Sequence, residues 1–527
     1  MSSTLETPPV QLTAPTSVPA PEEMSHRQIV EALVGILAAL FVGMISSTIV
    51  SNALPTIISD LNGTQRSYTW VITASLLAMT ATTPIWGKLS DLFDKKLLLQ
   101  IAIVTFVAGS IAAGAAQNVG ELIGFRVIQG IGGAVMSSLT LSLISEAYPP
   151  DARTGPIGLW AAISGLAVAG GSVLGGLLLS VFPWSSIFWV NVPIGVVTVV
   201  ICLAAVRESR EPVPRSFDIP GVALSASGLL LLTFGFVESS DIGWHSPVAA
   251  VCVAAGIVIL AVFVVWERRA AAPMVPPALL RTRGFGWACA VYLLAYLAFS
   301  GFIYYVTLFF QNIEQWSALR TGLSWLFFCL PYFVVAQLGK RLARWLPVAW
   351  AVGSGCFIAA AGMLGMSQLK TTTPFSWPAA CYVVVGVGFG LMVPAGSSAA
   401  MAEVPPGSSG IGSALFNSCR QIGTAMGLAI LGSVAASVIL AEWHRRAGTL
   451  PPAGRQAASR LAADVAGGHA HLVAASAGQD LLDPAIASFL SGFEAALLLA
   501  GVILASAGVV GIRGLRHLQM PGSSQPR

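Results

Sequence analysis

Long apolar runs recur along the whole sequence, and they limit the possible folds more than any other feature. A helix needs about 20 mainly apolar residues to cross the hydrocarbon core of a bilayer. The composition agrees with a membrane setting, because 55% of the residues are hydrophobic and only 9% are charged, against about 25% charged in soluble domains. We therefore predict an all-α polytopic membrane protein and exclude a water-soluble globule. The sequence predicts fourteen spans, at about residues 29–53, 68–86, 97–116, 119–143, 157–181, 187–206, 219–238, 247–266, 285–311, 321–338, 347–366, 377–399, 410–440 and 486–512.

The basic residues are distributed unevenly between the two sides of the predicted membrane. With the N-terminus inside, 18 of the 27 Lys and Arg residues fall in cytoplasmic segments, and the short outer loops hold only Arg66, Arg320 and Lys370. Cytoplasmic loops carry the Lys and Arg excess in membrane proteins, so both termini are predicted to be cytoplasmic. The net charge of +4 is small and dispersed, which argues against a nucleic-acid partner.

A dense charged loop joins the second and third spans. It reads Gly-Lys-Leu-Ser-Asp-Leu-Phe-Asp-Lys-Lys over residues 87–96, and charges this close together must lie at a membrane face. The loop resembles the signature between helices 2 and 3 of the major facilitator superfamily, with Asp94 standing where that family has its second glycine. The residues that match the signature are Gly87, Leu89, Asp91, Lys95 and Lys96. The resemblance implies a cytoplasmic gating loop, and we predict that its Asp91 latches onto helix ends and basic groups of the opposite bundle when the cavity opens outward.

The resemblance also implies the fold, two six-helix bundles around a central cavity. Fourteen spans, with two extra in the middle, are similar to its drug:proton antiporter branch of the EmrB/QacA type. On that basis the chain divides into a disordered cytoplasmic tail rich in Pro, Ser and Thr, a first bundle, a two-helix insertion, a second bundle and a short cytoplasmic tail. The corresponding ranges are 1–27, 28–206, 207–280, 281–513 and 514–527, and the second bundle includes a long outer loop at 441–485 that is expected to form one or two short amphipathic helices.

Spans 4 and 13 each carry an arginine inside the predicted membrane. Span 4 resembles a family motif at Arg126 and Gln129, and span 13 resembles another at Asn417, Arg420 and Gln421. A charge at this depth is costly unless it faces a watery cavity or an acid. For Arg126 the alternative is a side chain that snorkels to the membrane surface. We predict that these five residues line the cavity or take part in proton coupling.

The carboxylate that would carry protons is not obvious. Ser46 stands where the family often has an aspartate in span 1. Other carboxylates lie near the ends of spans or within them, namely Glu31, Glu238, Glu314 and Glu494, and each has the simpler explanation of a helix-end or interface charge. We rank Glu31 and Glu238 first as candidates for proton coupling.

Two further sets of residues, in spans 5 and 9, are candidates for functional roles because of their positions. Small residues in span 5 follow the spacing of the family's antiporter signature, with Ala167 and Ser172 replacing a glycine and the proline, and they allow two helices to approach closely. These glycines are Gly158, Gly171, Gly175 and Gly176. Polar and aromatic residues near the outer end of span 9 suit a cavity for flat or cationic organic molecules, although most such rings face lipid or other helices. They are Tyr304, Tyr305, Phe309 and Gln311.

The function that the resemblance implies is proton-coupled efflux of amphipathic or cationic organic compounds by alternating access. The expected setting is the cell membrane, with the chain acting as a monomer driven by the H⁺ gradient, without a cofactor or a metal. Export or H⁺ symport of an endogenous metabolite is an alternative, and a non-transporting sensor or a membrane enzyme is a further one. The sequence has no catalytic motif of the common hydrolases and no phosphate-binding glycine loop, and its seven cysteines are single and lack metal-ligand spacing.

Overall fold

The computed structural model describes residues 26–61, 65–149, 152–206, 218–242, 246–270, 273–276, 279, 282–342, 346–405, 407–447 and 461–517. These residues form helices and connecting turns, with no strand among them, so the all-α prediction is confirmed. The predicted N-terminal tail lies almost wholly outside the described ranges, as do residues 207–217, 448–460 and 518–527.

The first half of the chain forms one helical bundle. Within it α2 packs on α4, α3 packs on α4, and α1 contacts both α5 and α7. The short helix α6 and the longer α7 together make the sixth crossing. The helices are α1 (His26–Asp60), α2 (Gln65–Leu92), α3 (Lys95–Gly114), α4 (Val119–Ala147), α5 (Thr154–Val181), α6 (Ser186–Trp189) and α7 (Asn191–Ala205).

Two inserted helices follow, α8 (Ile219–Ile242) and α9 (Pro247–Glu267). They pack on each other, and α8 also contacts α2 of the first bundle and α15 (Ser409–Ala447) of the second. The ring of Phe234 on α8 lies 5.9 Å from that of Trp70 on α2, centroid to centroid. On another face, Leu232 of α8 clusters with Ala429 of α15. The insertion therefore lies against both bundles along one side of the molecule.

The second bundle contains the remaining helices. α10 packs on α15 and α18, and α13 packs on α14 and α18. A π-helical turn, Phe309–Ile313, ends α10. The other helices are α10 (Arg283–Leu308), α11 (Ala318–Ser324), α12 (Leu326–Leu342), α13 (Val348–Ser367), α14 (Ser376–Ala402), α16 (Ala462–Ala466), α17 (Ala470–Ala477) and α18 (Leu482–Leu515).

The boundaries of the outer loop differ from the prediction of 441–485. α15 continues to Ala447 and α18 already begins at Leu482, so the connection is shorter at both ends. Its described part holds the short helices α16 and α17, which pack against α15 and α18. Hydropathy marks where a helix leaves the lipid, and these two helices continue beyond that point.

Twelve helices in the described ranges are long and apolar enough to cross a membrane. The predicted spans 68–86 and 157–181 fall instead on α2 and α5, which are outside those twelve. Each of these helices has 28 residues, a length of about 42 Å at 1.5 Å per residue. The fold is the predicted one, while the count of fourteen spans stays a prediction.

Candidate functional site

The carboxylate of Asp91 joins the two bundles at the ends that are predicted to be cytoplasmic. Asp91 lies in the last turn of α2, and its Oδ1 accepts a hydrogen bond from the Gly410 N–H at 2.8 Å. Its Oδ2 accepts from the Ile411 N–H at 3.0 Å. Both donors belong to the first turn of α15, where backbone N–H groups have no partner within the helix and the helix dipole favours negative charge. Asp91 therefore lies at a helix end of the opposite bundle, while the ammonium 4.0 Å from it belongs to Lys95 of its own bundle. Its action as a latch stays a prediction.

A second set of contacts surrounds this pair. Lys95, only 3% exposed, forms an ion pair with Glu146 at the end of α4 and lies 4.0 Å from Asp91. Glu146 also accepts a hydrogen bond from the Ser409 hydroxyl. One turn earlier in α4, the Ser142 and Ser409 hydroxyls are 2.8 Å apart. Because α2 and α4 both meet the start of α15, the two bundles are in contact at this end of the molecule, which is the predicted cytoplasmic end. We call this set of contacts the closed inner gate.

Burial sets the ionisation of Asp91, which lies on the cytoplasmic side of predicted span 68–86. Burial raises its pKa from 3.8 to about 6, and the Lys95 ammonium and the N–H groups of Ile411 and Gly410 lower it only in part. The contacts thus offset some, but not all, of the cost of removing the carboxylate from water. Relative to the protonated form, the ionised form of Asp91 is therefore less stable in the closed gate than in water.

The other residues of the gating loop have separate partners. The Lys96 ammonium donates to the Leu203 carbonyl at 2.7 Å, and the Lys88 ammonium donates to the Pro273 carbonyl, beyond α9, at 3.2 Å. Leu89 is partly buried against the main apolar core. Lys96 thus attaches the loop to the first bundle, and Lys88 attaches it to the segment after the insertion.

Asp94, which replaces the family's second glycine, is the N-cap of α3. Its backbone is extended, with φ −60° and ψ 119°, and its Oδ1 accepts from the Lys96 N–H at 3.1 Å. Asp is among the best N-cap residues because it satisfies a donor that the helix leaves unpaired. The departure from the family pattern therefore has a local structural reason.

Gly87 allows the two bundles to meet at the gate. A Cβ at this position would overlap the Ala414 methyl of α15 and would lie 3.1 Å from the Gly410 carbonyl oxygen. The corresponding glycine of the second half, Gly339 on α12, has no such neighbour, since nothing described lies within 4 Å of its Cβ position. The close approach therefore occurs at only one of these two related glycines.

Arg126 lies in a polar network within the first bundle. Its Nε donates to the Val71 carbonyl at 3.1 Å, its Nη1 to Gln129 Oε1 at 2.8 Å and its Nη2 to the Ser75 hydroxyl at 3.1 Å. Gln129 Nε2 in turn donates to the Ser110 hydroxyl at 2.6 Å. All these acceptors are neutral. Arg126 is 3% exposed, so its side chain is held inside the bundle and does not snorkel to the surface.

The network continues to the position of the missing aspartate. Asn191 of α7 donates to the Ser110 hydroxyl at 3.4 Å and to the Ser46 hydroxyl at 3.5 Å. Ser46 is buried, at 2% exposed. The position where the family often has a carboxylate is thus occupied by a hydroxyl that takes part in a neutral hydrogen-bond chain.

Arg420 is a charged residue in the first third of α15, inside the predicted span 410–440. It lies eleven residues after Ser409, about 16 Å along the helix. Its Nε makes a long hydrogen bond of 3.4 Å to Asn417 Oδ1, and its guanidinium lies 5.7 Å from the centre of the Tyr296 ring. The neighbouring Gln421 donates to the Thr83 hydroxyl of α2 at 3.2 Å. The polar face of α15 therefore reaches the first bundle.

Glu31 and Glu238, the two favoured proton carriers, are not brought near either arginine of the spans. Glu31 pairs with Arg27 at 2.7 Å in the first turns of α1, and its side chain is 47% exposed. Glu238 is buried near the outer end of the inserted helix α8. Within the described ranges, no carboxylate forms an ion pair with Arg126 or Arg420. Their proposed role in proton coupling stays a prediction.

The glycines of span 5 lie along contacts between α5 and other helices. A Cβ on Gly158 would lie 2.7 Å from the Ala336 carbonyl oxygen of α12, and one on Gly176 would lie 3.3 Å from the Leu319 Cα of α11. Gly171 faces the Ile45 backbone of α1 instead, and Gly175 is buried. Small residues thus let α5 pack on one helix of its own bundle and on two of the other.

The residues of span 9 that are predicted to line the cavity differ in their surroundings. Phe309 is 1% exposed and packs on Phe493 of α18, and the Tyr305 hydroxyl donates to the Gly432 carbonyl at 3.4 Å. Tyr304 is 44% exposed, and Gln311 is half-buried in the π-helical turn. Packing within the second bundle accounts for Phe309 and Tyr305, and a role of these four residues in the substrate cavity stays a prediction.

A second group of aromatic residues, which sequence reasoning missed, lies around Arg420. Tyr296 on α10 contacts Phe389 of α14 with ring centres 6.4 Å apart, and Phe299 contacts Phe389 at 4.5 Å. Tyr332 of α12 donates its hydroxyl to the Ala161 carbonyl of α5, across the two bundles, at 2.7 Å. The available signal was the arginine itself, because rings near a mid-membrane cation are better cavity candidates than rings near a helix end.

Comparisons with known proteins agree with this architecture. The Major Facilitator Superfamily profile matches residues 36–428. The chain is 28% identical over 495 residues to the tetracenomycin C resistance and export protein of Streptomyces glaucescens, covering 91% of this chain and 90% of that one. It is 31% identical over 477 residues to the multidrug efflux pump LfrA of Mycolicibacterium smegmatis, covering 89% and 93%.

Solved structures show the same fold at low sequence identity. The human organic anion transporter MFSD10 matches with a TM-score of 0.60 at 14% identity, over 92% of this chain and 99% of that one. The proton:xylose symporter XylE matches with a TM-score of 0.59 at 12% identity, over 92% and 95%. The chain therefore belongs to the Major Facilitator Superfamily, and it is a multi-pass membrane transporter of small molecules rather than an enzyme.

Proposed function

We propose that this transporter exports amphipathic organic compounds from the cell in exchange for protons. The efflux function rests on its relatives, which are named as resistance, export and multidrug efflux proteins. In this proposal the chain acts as a monomer in the cell membrane, with both termini in the cytoplasm and without a cofactor. An endogenous compound as the exported substrate would leave the mechanism unchanged.

The closed inner gate is the observation that supports alternating access. Asp91, Lys95 and Glu146 hold the cytoplasmic ends of α2, α3 and α4 against the start of α15. A compound in the cytoplasm reaches the central space only after these contacts break. The structure thus corresponds to one end of a transport cycle, and opening of the gate leads to the other.

The proton gradient can supply the energy for such a cycle. A membrane potential of 100 mV supplies roughly 2.3 kcal/mol for each charge that moves across the membrane, before any pH gradient is added. Efflux against a concentration gradient needs about 1.4 kcal/mol for each tenfold step in concentration. One proton per cycle therefore covers more than a tenfold accumulation.

Transport into inverted membrane vesicles tests this proposal. Their cytoplasmic face points outward, so an exported dye should accumulate inside when respiration acidifies the lumen. A protonophore should release the dye, and vesicles that lack the protein should not accumulate it. Accumulation that persists after the protonophore, or that requires added ATP when the gradient is already present, would overturn the coupling to protons.

A further inference from the structure

Among the described residues, the two arginines inside the spans have no counter-ion beside them. Arg126 and Arg420 are both cationic, and in the described part of the chain no carboxylate lies within 4.0 Å of either guanidinium. Arg126 at least has three neutral acceptors at 2.8–3.1 Å. Arg420 has one long hydrogen bond and a distant ring. A charge removed from water without a counter-ion is costly. Of the two arginines, Arg420 therefore has fewer contacts that offset this cost.

Arg420 lies on the side of α15 that is turned toward the space between the bundles. Gly423 lies against the α10 backbone at Leu293, and Gln421 bonds to α2 through Thr83. Ala429 packs with α8 on the periphery. Because successive residues are rotated by about 100°, Ala429 is on the face about 180° from Arg420. The Arg420 side chain therefore lies between the α10 and α2 contacts, away from the inserted helices.

The Arg420 guanidinium has one nitrogen donor without an acceptor among the described residues, and an aromatic ring lies near it. Its Nη2 is buried, and none of the described residues accepts a hydrogen bond from it. The half-buried Tyr296 ring lies 5.7 Å from the guanidinium and also contacts Phe389. Guanidinium groups bind carboxylates and other planar anions through parallel N–H donors, and aromatic rings stack on flat molecules.

We propose that Arg420, with Asn417 and Tyr296 beside it, is a binding subsite for the negatively charged group of a flat aromatic substrate. The exported compounds would then be aromatic acids or other acidic polycycles rather than the cations that the family resemblance implies. This inference rests on the proposed efflux function and narrows its substrates. A cationic substrate would be repelled by Arg126 and Arg420, and Ser46 supplies no carboxylate to offset their charge. An anionic substrate would instead give Arg420 the counter-ion that it lacks.

A matched set of fluorescent probes tests this subsite. Pyrenecarboxylate, pyrenecarboxamide and pyrenemethylammonium share one ring system and differ in charge. Binding to the purified full-length protein should be at least about tenfold tighter for the carboxylate than for the carboxamide, since the anion adds charge-assisted hydrogen bonds. Arg420→Gln should make the two affinities equal, and Arg420→Lys should keep part of the preference because the charge remains.

Two further variants keep the test decisive. Arg513→Gln removes an arginine near the end of α18 and should leave the preference for the carboxylate unchanged. Tyr296→Leu should weaken all three probes by removing the ring, while the carboxylate stays preferred. If Arg420→Gln fails to fold, the charge preference of the wild-type protein and the Tyr296→Leu variant still decide the question.

Several results would overturn the proposal that Arg420 forms an anion-binding subsite. These are equal wild-type affinities for the carboxylate and the carboxamide, tighter binding of the ammonium probe, or loss of the preference when chloride replaces gluconate in the buffer. The last would identify Arg420 as a site for small inorganic anions. Transport of the ammonium probe alone in proteoliposomes would contradict the inference and leave efflux intact. Selective binding of the carboxylate without movement of any probe would contradict the efflux function instead.

Discussion

Gly87→Ala is expected to open the inner gate. The new methyl would overlap that of Ala414 and lie 3.1 Å from the Gly410 carbonyl oxygen and 3.3 Å from the Ile411 Cα. Overpacking of this kind costs about 1–3 kcal/mol. The cost falls on the closed gate alone, because these atoms belong to the opposite bundle and separate when the gate opens. The gain in helix propensity on replacing Gly, about 1 kcal/mol, applies to both states and cancels.

The expected shift toward the open gate is therefore roughly 5- to 150-fold. A cysteine at Ser142 can report it, because Ser142 is buried at the gate and its hydroxyl lies 2.8 Å from that of Ser409. The reporter is placed in a protein whose seven native cysteines are replaced by serine. In inverted vesicles a membrane-impermeant maleimide reaches the cytoplasmic face, and its rate of reaction with Ser142→Cys should rise by the same factor.

Gly339→Ala is the matched control for this experiment. It makes the same change in the related position of the second half, where no described atom lies within 4 Å of the added Cβ. Its labelling rate should equal that of the parent protein. If Gly87→Ala and Gly339→Ala label at the same rate, the close contact at Gly87 does not control the gate and the steric reasoning is wrong.

Three other predictions concern neighbouring groups. Burial raises the pKa of Asp91 to about 6 in the closed gate, while a solvated carboxyl titrates near about 3.9, so the closed gate binds the proton more tightly. Labelling of the gate cysteine relative to that of a solvent-exposed reference cysteine, a ratio that removes the pH dependence of the thiolate, should therefore rise between about pH 4 and pH 6 and then level off, and Asp91→Asn should abolish that rise. Asp94→Ala should destabilise the protein by about 1 kcal/mol through loss of the α3 cap, as measured by thermal unfolding, whereas Asp94→Asn should have little effect. Arg126→Lys keeps the charge but cannot reach three acceptors at once, so efflux should fall at least about tenfold, and an unchanged transport rate at equal membrane abundance would contradict this.

Local patterns in the sequence were enough to predict the helices and one polar contact. Hydropathy located the helices because burying apolar side chains in lipid depends on composition and length alone. The three-residue spacing of Arg126 and Gln129 placed them on one helix face, where they form a hydrogen bond of 2.8 Å. These features depend on residues close together in the chain, which is why they are readable without a structure.

Contacts between distant segments could not be predicted in the same way. Asp91 and Gly410 are separated by 319 residues, and no local pattern specifies that the start of α15 will meet the end of α2. The aromatic residues near Arg420 were missed for a similar reason, because four separate helices bring Tyr296, Phe328, Phe389 and Arg420 together. Asp94 is a different case, because its capping role depends on residues close in the chain. The prediction missed this role because the family motif has a glycine at this position, so only the absence of that glycine was considered.

The position of α8 has a mechanical consequence. This helix touches α2 in one bundle and α15 in the other, so it cannot travel with both when they rock apart. One of its two surfaces must slide in every cycle. On the α15 side, the residues next to α8 include the small side chains Ala425 and Ala429 together with Ile422 and Met426, whereas the surface toward α2 includes the contacting rings of Trp70 and Phe234. Because small side chains offer less resistance to sliding than large rings in contact, we expect the inserted pair to move with the first bundle while α15 shears along it.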